Sequence, residues 1–176
     1  MEQVVLVNET DEQIGVMEKI EAHEKALLHR AISVFIFNSK GEMLLQKRAA
    51  KKYHSAGLWT NACCSHPRPG EPENAAAKRR LQEELGFTTV LKKAFDFTYK
   101  ASFENGLTEH EFDHVFTGVY EGLIFPDPDE VEDYCFKSMD EIENALALKK
   151  DHFTVWFHIA FPLVKEWCFT EQLTSK

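Results

Sequence analysis

Cysteine is scarce in this chain and poorly placed for structural use. Four occur among 176 residues, Cys63, Cys64, Cys135 and Cys168. Two are adjacent and no CxxC is present, so neither a disulfide framework nor a thiolate zinc site is expected, and the thiols are expected to be free. Basic charge is also short. Lys and Arg number 20 against 29 Asp and Glu, a formal net charge of -9, which argues against nucleic acid or an anionic membrane as the main partner. An anionic small molecule remains compatible, because a few basic side chains gathered in one pocket set the local field. No stretch approaches the roughly 18 apolar residues of a membrane span. The start, MEQVVLVNETDEQ, lacks a basic region followed by an apolar run. Internal repeats, low-complexity tracts and Gly/Ser linkers are absent too. The expectation is one cytoplasmic domain over residues 1–176, monomeric, with neither nucleic acid nor membrane as partner.

Hydrophobic residues make up 44% of the chain, enough for a substantial core. VVLVN reads as a strand closing through residues 8–15 into a second strand at Val16–Ile20. AISVFIF at 31–37 is a β-branched run suited to a buried strand. Asn38 to Gly41 supplies a turn, and Glu42–Arg48 returns as its partner. Glu73–Leu85 reads as a helix opened by Pro72 and stopped by Gly86. Phe95–Phe103 and Leu107–Glu121 form a hairpin joined at Glu104-Asn105-Gly106. Pro126 and Pro128 precede a strand at Tyr134–Phe136. Ser138 with Glu141 matches a capping box, and a last helix spans Phe153–Phe169, bent or interrupted at Pro162. Strands interleaved with few helices predict an α/β fold with a mixed sheet.

The segment EPENAAAKRRLQEELGF concentrates chemistry. Glu71 is followed after seven residues by Arg79, then by Leu81, Glu83, Glu84 and Gly86, which sets carboxylates beside guanidinium groups on one helix. Carboxylate oxygens suit a hard cation such as Mg2+, which bridges phosphate oxygens. This run resembles the Nudix signature, with two departures: Ser65 stands at the first Gly, and Arg80 stands where a Glu follows Arg79. The lost carboxylate weakens a hydrolytic reading and favours diphosphate binding. A Nudix hydrolase of a diphosphate is the alternative activity, and a non-catalytic diphosphate-binding protein a further one.

Three motifs in order, EAHEKALLHRA, LWTNACCSHPRPGE and LTEHEFDHVF, resemble the type I isopentenyl-diphosphate isomerases over about residues 3–165. The resemblance implies a single Nudix-like α/β/α sandwich, with residues 1–30 as an N-terminal lid. The implied activity interconverts isopentenyl and dimethylallyl diphosphate through a carbocation. It also implies a metal site of His23, His29, His66, Glu109 and Glu111 holding Mn2+, Mg2+ or Zn2+. A second, diphosphate-bridging Mg2+ is implied at Glu84 and the main-chain carbonyl of Cys64. Glu109 and Glu111, two apart, share one face of a strand, and His110, Phe112 and His114 take the other. By the same likeness Cys64 is the base, Glu111 the acid, Tyr99 its assistant, and Trp156 the aromatic face for the cation. Lys19, Arg48, Lys52 and Arg80 are the implied diphosphate contacts, with Lys51 leaving a one-residue ambiguity. A thiol titrates near about 8.5, so a modest downward shift of Cys64 is expected. Cys63, Cys135 and Cys168 read as small core hydrophobes.

Overall fold

The computed structural model describes residues 2–52 and 54–174, the side chains of 172–174 excepted. Among the described residues nine strands form one mixed sheet: β1 (Gln3–Val7), β2 (Gln13–Glu18), β3 (His29–Phe37), β4 (Met43–Arg48), β5 (Trp59–Asn61), β6 (Cys63–Ser65), β7 (Leu91–Ser102), β8 (Thr108–Val119) and β9 (Val131–Lys137). The helices are α1 (Lys19–Glu24), α2 (Glu73–Leu85), α3 (Met139–Leu148) and α4 (Val155–Thr174). The central strand β3 runs parallel to β8 from His29↔Glu111 to Phe37↔Val119. It meets β4 at Phe37↔Met43. Beyond that point the two diverge. The run 59–65 crosses between them, pairing as β5 with β4 at Leu45–Lys47 and as β6 with β3 at Ile32–Val34.

Alternation along the strands assigns each face. Ile32, Val34 and Ile36 of β3 pack with Ala77, Leu81 and Leu85 of α2. Phe35, one residue out of phase, packs with Ile142 of α3 and Trp156, Phe157, Ala160 and Phe161 of α4. Helices therefore cover both faces of the sheet, the expected α/β/α layering. Leu81 and Leu85 are fully buried, and truncating either to Ala should cost about 2–5 kcal/mol.

Several boundaries differ from the sequence reading: β2 begins at Gln13 rather than Val16 and β7 at Leu91 rather than Phe95, and three further differences have a clear physical cause. The second strand ends at Glu18, because its carboxylate accepts the Glu21 N–H at 3.0 Å and caps α1. Lys19 and His23 consequently sit on a helix. The strand expected at Tyr134–Phe136 extends over Val131–Lys137, carried by its ladder with β4. Finally, α4 runs through Pro162 to Thr174. Buried Trp156, Phe157 and Phe161 before the proline and Val164 after it hold both halves on the sheet, offsetting the lost backbone donor.

Candidate active site and metal centre

A cavity of about 390 Å³ opens where β3 and β4 diverge, lined by Cys64, His66, Tyr99, Glu109, Glu111 and Trp156 and by Lys19, Arg48, Lys52 and Arg80. The structure thus brings together most of the residues nominated from sequence. His23 and His29 lie beneath its floor, both fully buried. Glu84 lies behind the wall, 3% exposed, where it accepts from Gln46 Nε2 at 2.9 Å and Arg80 at 2.8 Å.

The floor is a compact donor set. One ligand atom from each of His23, His29, His66 and Glu111 lies within 4.8 Å of the other three. α1 delivers His23, the parallel register of β3 with β8 sets His29 beside Glu111, and the loop after β6 brings His66. His29 Nδ1 lies 2.8 Å from the Leu27 carbonyl, so it is the donor there. Its Nε2 then faces His23 Nε2 at 3.2 Å and Glu111 Oε1 at 3.6 Å. A cation or a proton must fill that point, since lone pairs cannot face one another unmet. Burial, with neighbouring imidazoles, pushes His23 down to about 3, and burial also lowers His66. Neutral imidazoles are the form a metal needs, so these residues fit a divalent ion. Glu109 stands apart from the four: its Oε1 lies 3.3 Å from His54 Nε2 and its Oε2 2.9 Å from the Tyr99 hydroxyl.

Tyr99 spans the two carboxylates, with Glu111 Oε2 at 2.8 Å. One hydroxyl hydrogen cannot serve two carboxylates. Burial and the charge of Glu111 hold Glu109 well above the usual carboxylate range. Burial opposes the charge on Glu111 as well, but the proximity of His29 and His66 outweighs it and holds Glu111 well below that range. The pair therefore keeps its proton on the Glu109 side.

Cys63 and Cys64 face opposite ways, as a strand requires. Cys63 is fully buried toward Glu84, 3.4 Å from its Oε1, while Cys64 faces the cavity. The expected downward shift of the Cys64 thiol is not found. Burial, then the nearby Asp113, push it up, and its sulfur donates to Asn61 Oδ1 at 3.0 Å.

Charge at the mouth is held by internal carboxylates. Arg80 contacts Glu83 at 2.7 Å, Glu84 at 2.8 Å and Glu130 at 3.3 Å. Lys52 pairs with Glu130 and Lys19 with Glu2. Lys51 instead pairs with Asp129 at the surface and is 81% exposed, whereas Lys52 lines the cavity. Arg79 clamps Glu71 through two contacts of 2.7 and 2.8 Å, tying the loop to α2. Trp156 carries the Arg48 guanidinium 5.1 Å from its ring centre, so a cation already lies near the ring proposed to face one.

Sequence reasoning missed His54, Asn61, Ser33, Asp113 and Glu130. His54 stacks on Phe103 at 4.8 Å between ring centres and is pushed down to about 3 by burial and by Arg48. A histidine in a loop gives no periodic signal. Asp113, by contrast, continues the Glu109/Glu111 alternation and was legible.

A mixed sheet between helical layers, with α2 carrying the Glu/Arg run beside a cluster of His and Glu donors placed to suit a metal ion, defines a Nudix-domain protein. The NUDIX domain family model matches residues 27–157, and the chain belongs to the isopentenyl-diphosphate Delta-isomerase family within that fold. An isopentenyl-diphosphate Delta-isomerase of Pectobacterium atrosepticum is 50% identical over 94% of this chain and 92% of its own. Isopentenyl-diphosphate Delta-isomerase 2 of Aromatoleum aromaticum is 48% identical over 88% and 82%. Among solved structures, DR0079 from Deinococcus radiodurans superposes with a TM-score of 0.70 at 19% identity, over 84% of this chain and 90% of that one. At that identity the likeness concerns the fold. No helix among the described residues is long and apolar enough to cross a membrane.

Proposed function

We infer that this chain interconverts isopentenyl and dimethylallyl diphosphate by adding a proton to one carbon of an allylic system and removing one from another. The observation that carries this reading is a single cavity lined by Cys64 and Glu111 together with Lys19, Arg48, Lys52, Arg80 and two further arginines, Arg68 and Arg79. Proton handling needs one group charged with a proton and one able to take it. The thiol donating to Asn61 and the ionised Glu111 supply such a pair. In this resting arrangement Cys64 is the donor and Glu111 the acceptor, the reverse of the roles implied by resemblance. A reversible isomerisation uses each group in both directions, so both remain necessary. Tyr99, in contact with both carboxylates, passes protons between them. Trp156 and its buried neighbours keep water from a carbocation and offer it a π-face.

Lys19, Arg48, Lys52 and Arg80 hold the diphosphate, Arg through paired donors and Lys as a point charge. Their internal partners Glu2 and Glu130 must give way to it. Nudix enzymes use divalent metals. His23, His29, His66 and Glu111, joined by Glu109, would hold Mn2+, Mg2+ or Zn2+, and Glu84 with the Cys64 carbonyl a Mg2+. When bound, these ions supply positive charge that orders the carboxylates and neutralises the diphosphate. We place the whole chain in one domain, with residues 1–30 closing over the cavity, since Glu2, Gln3 and Lys19 line its mouth. The partner is this small molecule alone, the protein acting as a cytoplasmic monomer.

The test is incubation of metal-loaded protein with isopentenyl diphosphate and Mg2+ in deuterated water. Dimethylallyl diphosphate carrying deuterium is expected. Phosphate release without isomer would establish hydrolysis instead, and unchanged substrate would sink the assignment.

A further inference from the structure

Asn61, at the end of β5, is wholly buried, and every polar atom of its side chain is committed. Its Nδ2 donates to the Val34 carbonyl at 3.1 Å and to the Cys63 carbonyl at 2.9 Å. With both amide hydrogens spent on backbone acceptors, the amide cannot flip, and Oδ1 is forced to the opposite side. There it accepts from Cys64 Sγ at 3.0 Å and from Thr60 Oγ1 at 2.9 Å. Thr60 Oγ1 in turn accepts from Thr154 Oγ1 at 3.0 Å. Thr60 and Thr154 are fully buried, and Thr154 immediately precedes α4. Across the sulfur, Ser33 Oγ lies 3.3 Å away and donates to Asp113 Oδ2 at 2.6 Å. Its single hydrogen is therefore also directed away from Cys64.

The consequence is a sulfur flanked by oxygen lone pairs. A buried polar chain of this kind costs more than an apolar filling unless every member is satisfied, and here each link points toward Cys64. Packing alone does not ask for it. We infer that Asn61 is a positioning residue for the isomerisation: its locked side-chain carbonyl fixes the rotamer of Cys64 on the cavity wall and aims the S–H, while Thr60 and Thr154 hold that carbonyl in place. This rests on Cys64 being one of the two proton-handling groups.

The experiment uses the full-length, metal-loaded enzyme and compares Asn61→Leu, Thr60→Val, Cys64→Ala and the double variant Asn61→Leu/Cys64→Ala. Asn61→Leu should lower kcat by about 100-fold, the scale of a misplaced reacting group, with KM for isopentenyl diphosphate and metal content unchanged. Thr60→Val keeps both hydrogen bonds of Asn61 Nδ2 to the backbone and removes the donor to Oδ1, together with the acceptor of Thr154 Oγ1. It should lower kcat by about threefold to tenfold at constant KM, and it carries the test if Asn61→Leu does not fold. On the Cys64→Ala background, Asn61→Leu should change the residual rate by less than about twofold, because the partner it positions is gone. Parent-like kcat in Asn61→Leu, or in Thr60→Val when the leucine variant is insoluble, overturns the inference. An equal further loss on the Cys64→Ala background also overturns it, by showing a role independent of the sulfur. Full activity in Cys64→Ala is a different result, and it removes Cys64 from the mechanism altogether.

Discussion

Replacing Glu111 with Gln separates the chemistry of the site from its architecture. The carboxylate is 6% exposed and meets His66 Nε2 at 3.1 Å, His29 Nε2 at 3.6 Å and the Tyr99 hydroxyl at 2.8 Å. Gln keeps the size of the side chain and an oxygen toward His66, and turns an amide toward Tyr99. The Tyr99 hydroxyl can accept from that amide and give its own hydrogen to Glu109, 2.9 Å away. The fold then loses about one charge-assisted hydrogen bond, roughly 1.5–3 kcal/mol. The reaction loses more. A positioned acid–base group contributes about 10²–10⁴ in rate, which is roughly 2.7–5.4 kcal/mol of barrier at 1.36 kcal/mol per decade. The diphosphate contacts at Lys19, Arg48, Lys52 and Arg80 are untouched, so KM should move by less than about tenfold. The assay is conversion of isopentenyl to dimethylallyl diphosphate followed by NMR, with metal content and melting temperature measured on the same preparation. A kcat within about tenfold of the parent at equal metal content would refute the acid–base assignment of Glu111. A deficit fully repaired by excess Mn2+ would refute it too, leaving Glu111 as a ligand only.

Gly86→Ala should lower the melting temperature by about 4–12 °C, because a left-handed φ and a severe clash together cost roughly 2–3 kcal/mol. Gly86 has φ 73°, and a Cβ there would lie 2.4 Å from the Phe125 carbonyl oxygen; an unchanged melting curve would contradict this geometry. Arg80→Glu restores the missing acid of the Nudix box but removes a diphosphate contact, so steady-state assays should give a KM raised about 10–100-fold, and malachite-green detection should find no new hydrolysis. Trp156→Leu should lower kcat by about 30-fold if its ring is worth about 2 kcal/mol to the cation; a larger loss of KM than of kcat would instead assign it to holding Arg48. Metal binding should release protons, since Glu109 is held protonated by burial and by Glu111 and must ionise to become a ligand. Affinity should therefore rise with pH by up to about tenfold per unit below the Glu109 pKa, while His23, already neutral down to about 3, adds no dependence between pH 5 and 7. Calorimetry in two buffers of different ionisation heat reads the release, and Glu109→Gln should reduce it.

The sheet was legible where two signals coincided. AISVFIF is apolar at every position but Ser33 because β3 is covered on both faces, and Glu73–Leu85 carries its stop residue at Gly86. α1 was not legible. Six residues, KIEAHE, are too short for helical periodicity, and Ile20 beside the β2 run made a strand the better local reading. The decision rests on Glu18, whose carboxylate turns inward to cap the helix, a choice between exposed acids that composition cannot make. The continuation of α4 past Pro162 is likewise tertiary in origin. A proline says that a donor is lost, and only the buried surface on either side says whether the helix survives it.

The same distinction runs through the site. Glu109 and Glu111 announced themselves by spacing, but their division of labour follows from which carboxylate the histidines reach, and that is set by the β3–β8 register. His29 opposes Glu111 in that register, so the imidazoles stabilise charge on Glu111 and leave the proton to Glu109. Shifting the pairing by one residue would place His29 opposite His110 or Phe112 and dissolve the donor set. Cys64 makes the point in the other direction. Its neighbours in sequence, Cys63 and Ser65, say nothing about its protonation, whereas Asn61, Ser33 and Asp113, drawn from three strands, surround it with acceptors and an acid. In that setting the thiol donates to Asn61 and is pushed up by burial and by Asp113. The surroundings of this cysteine are therefore set by residues that a linear motif does not include.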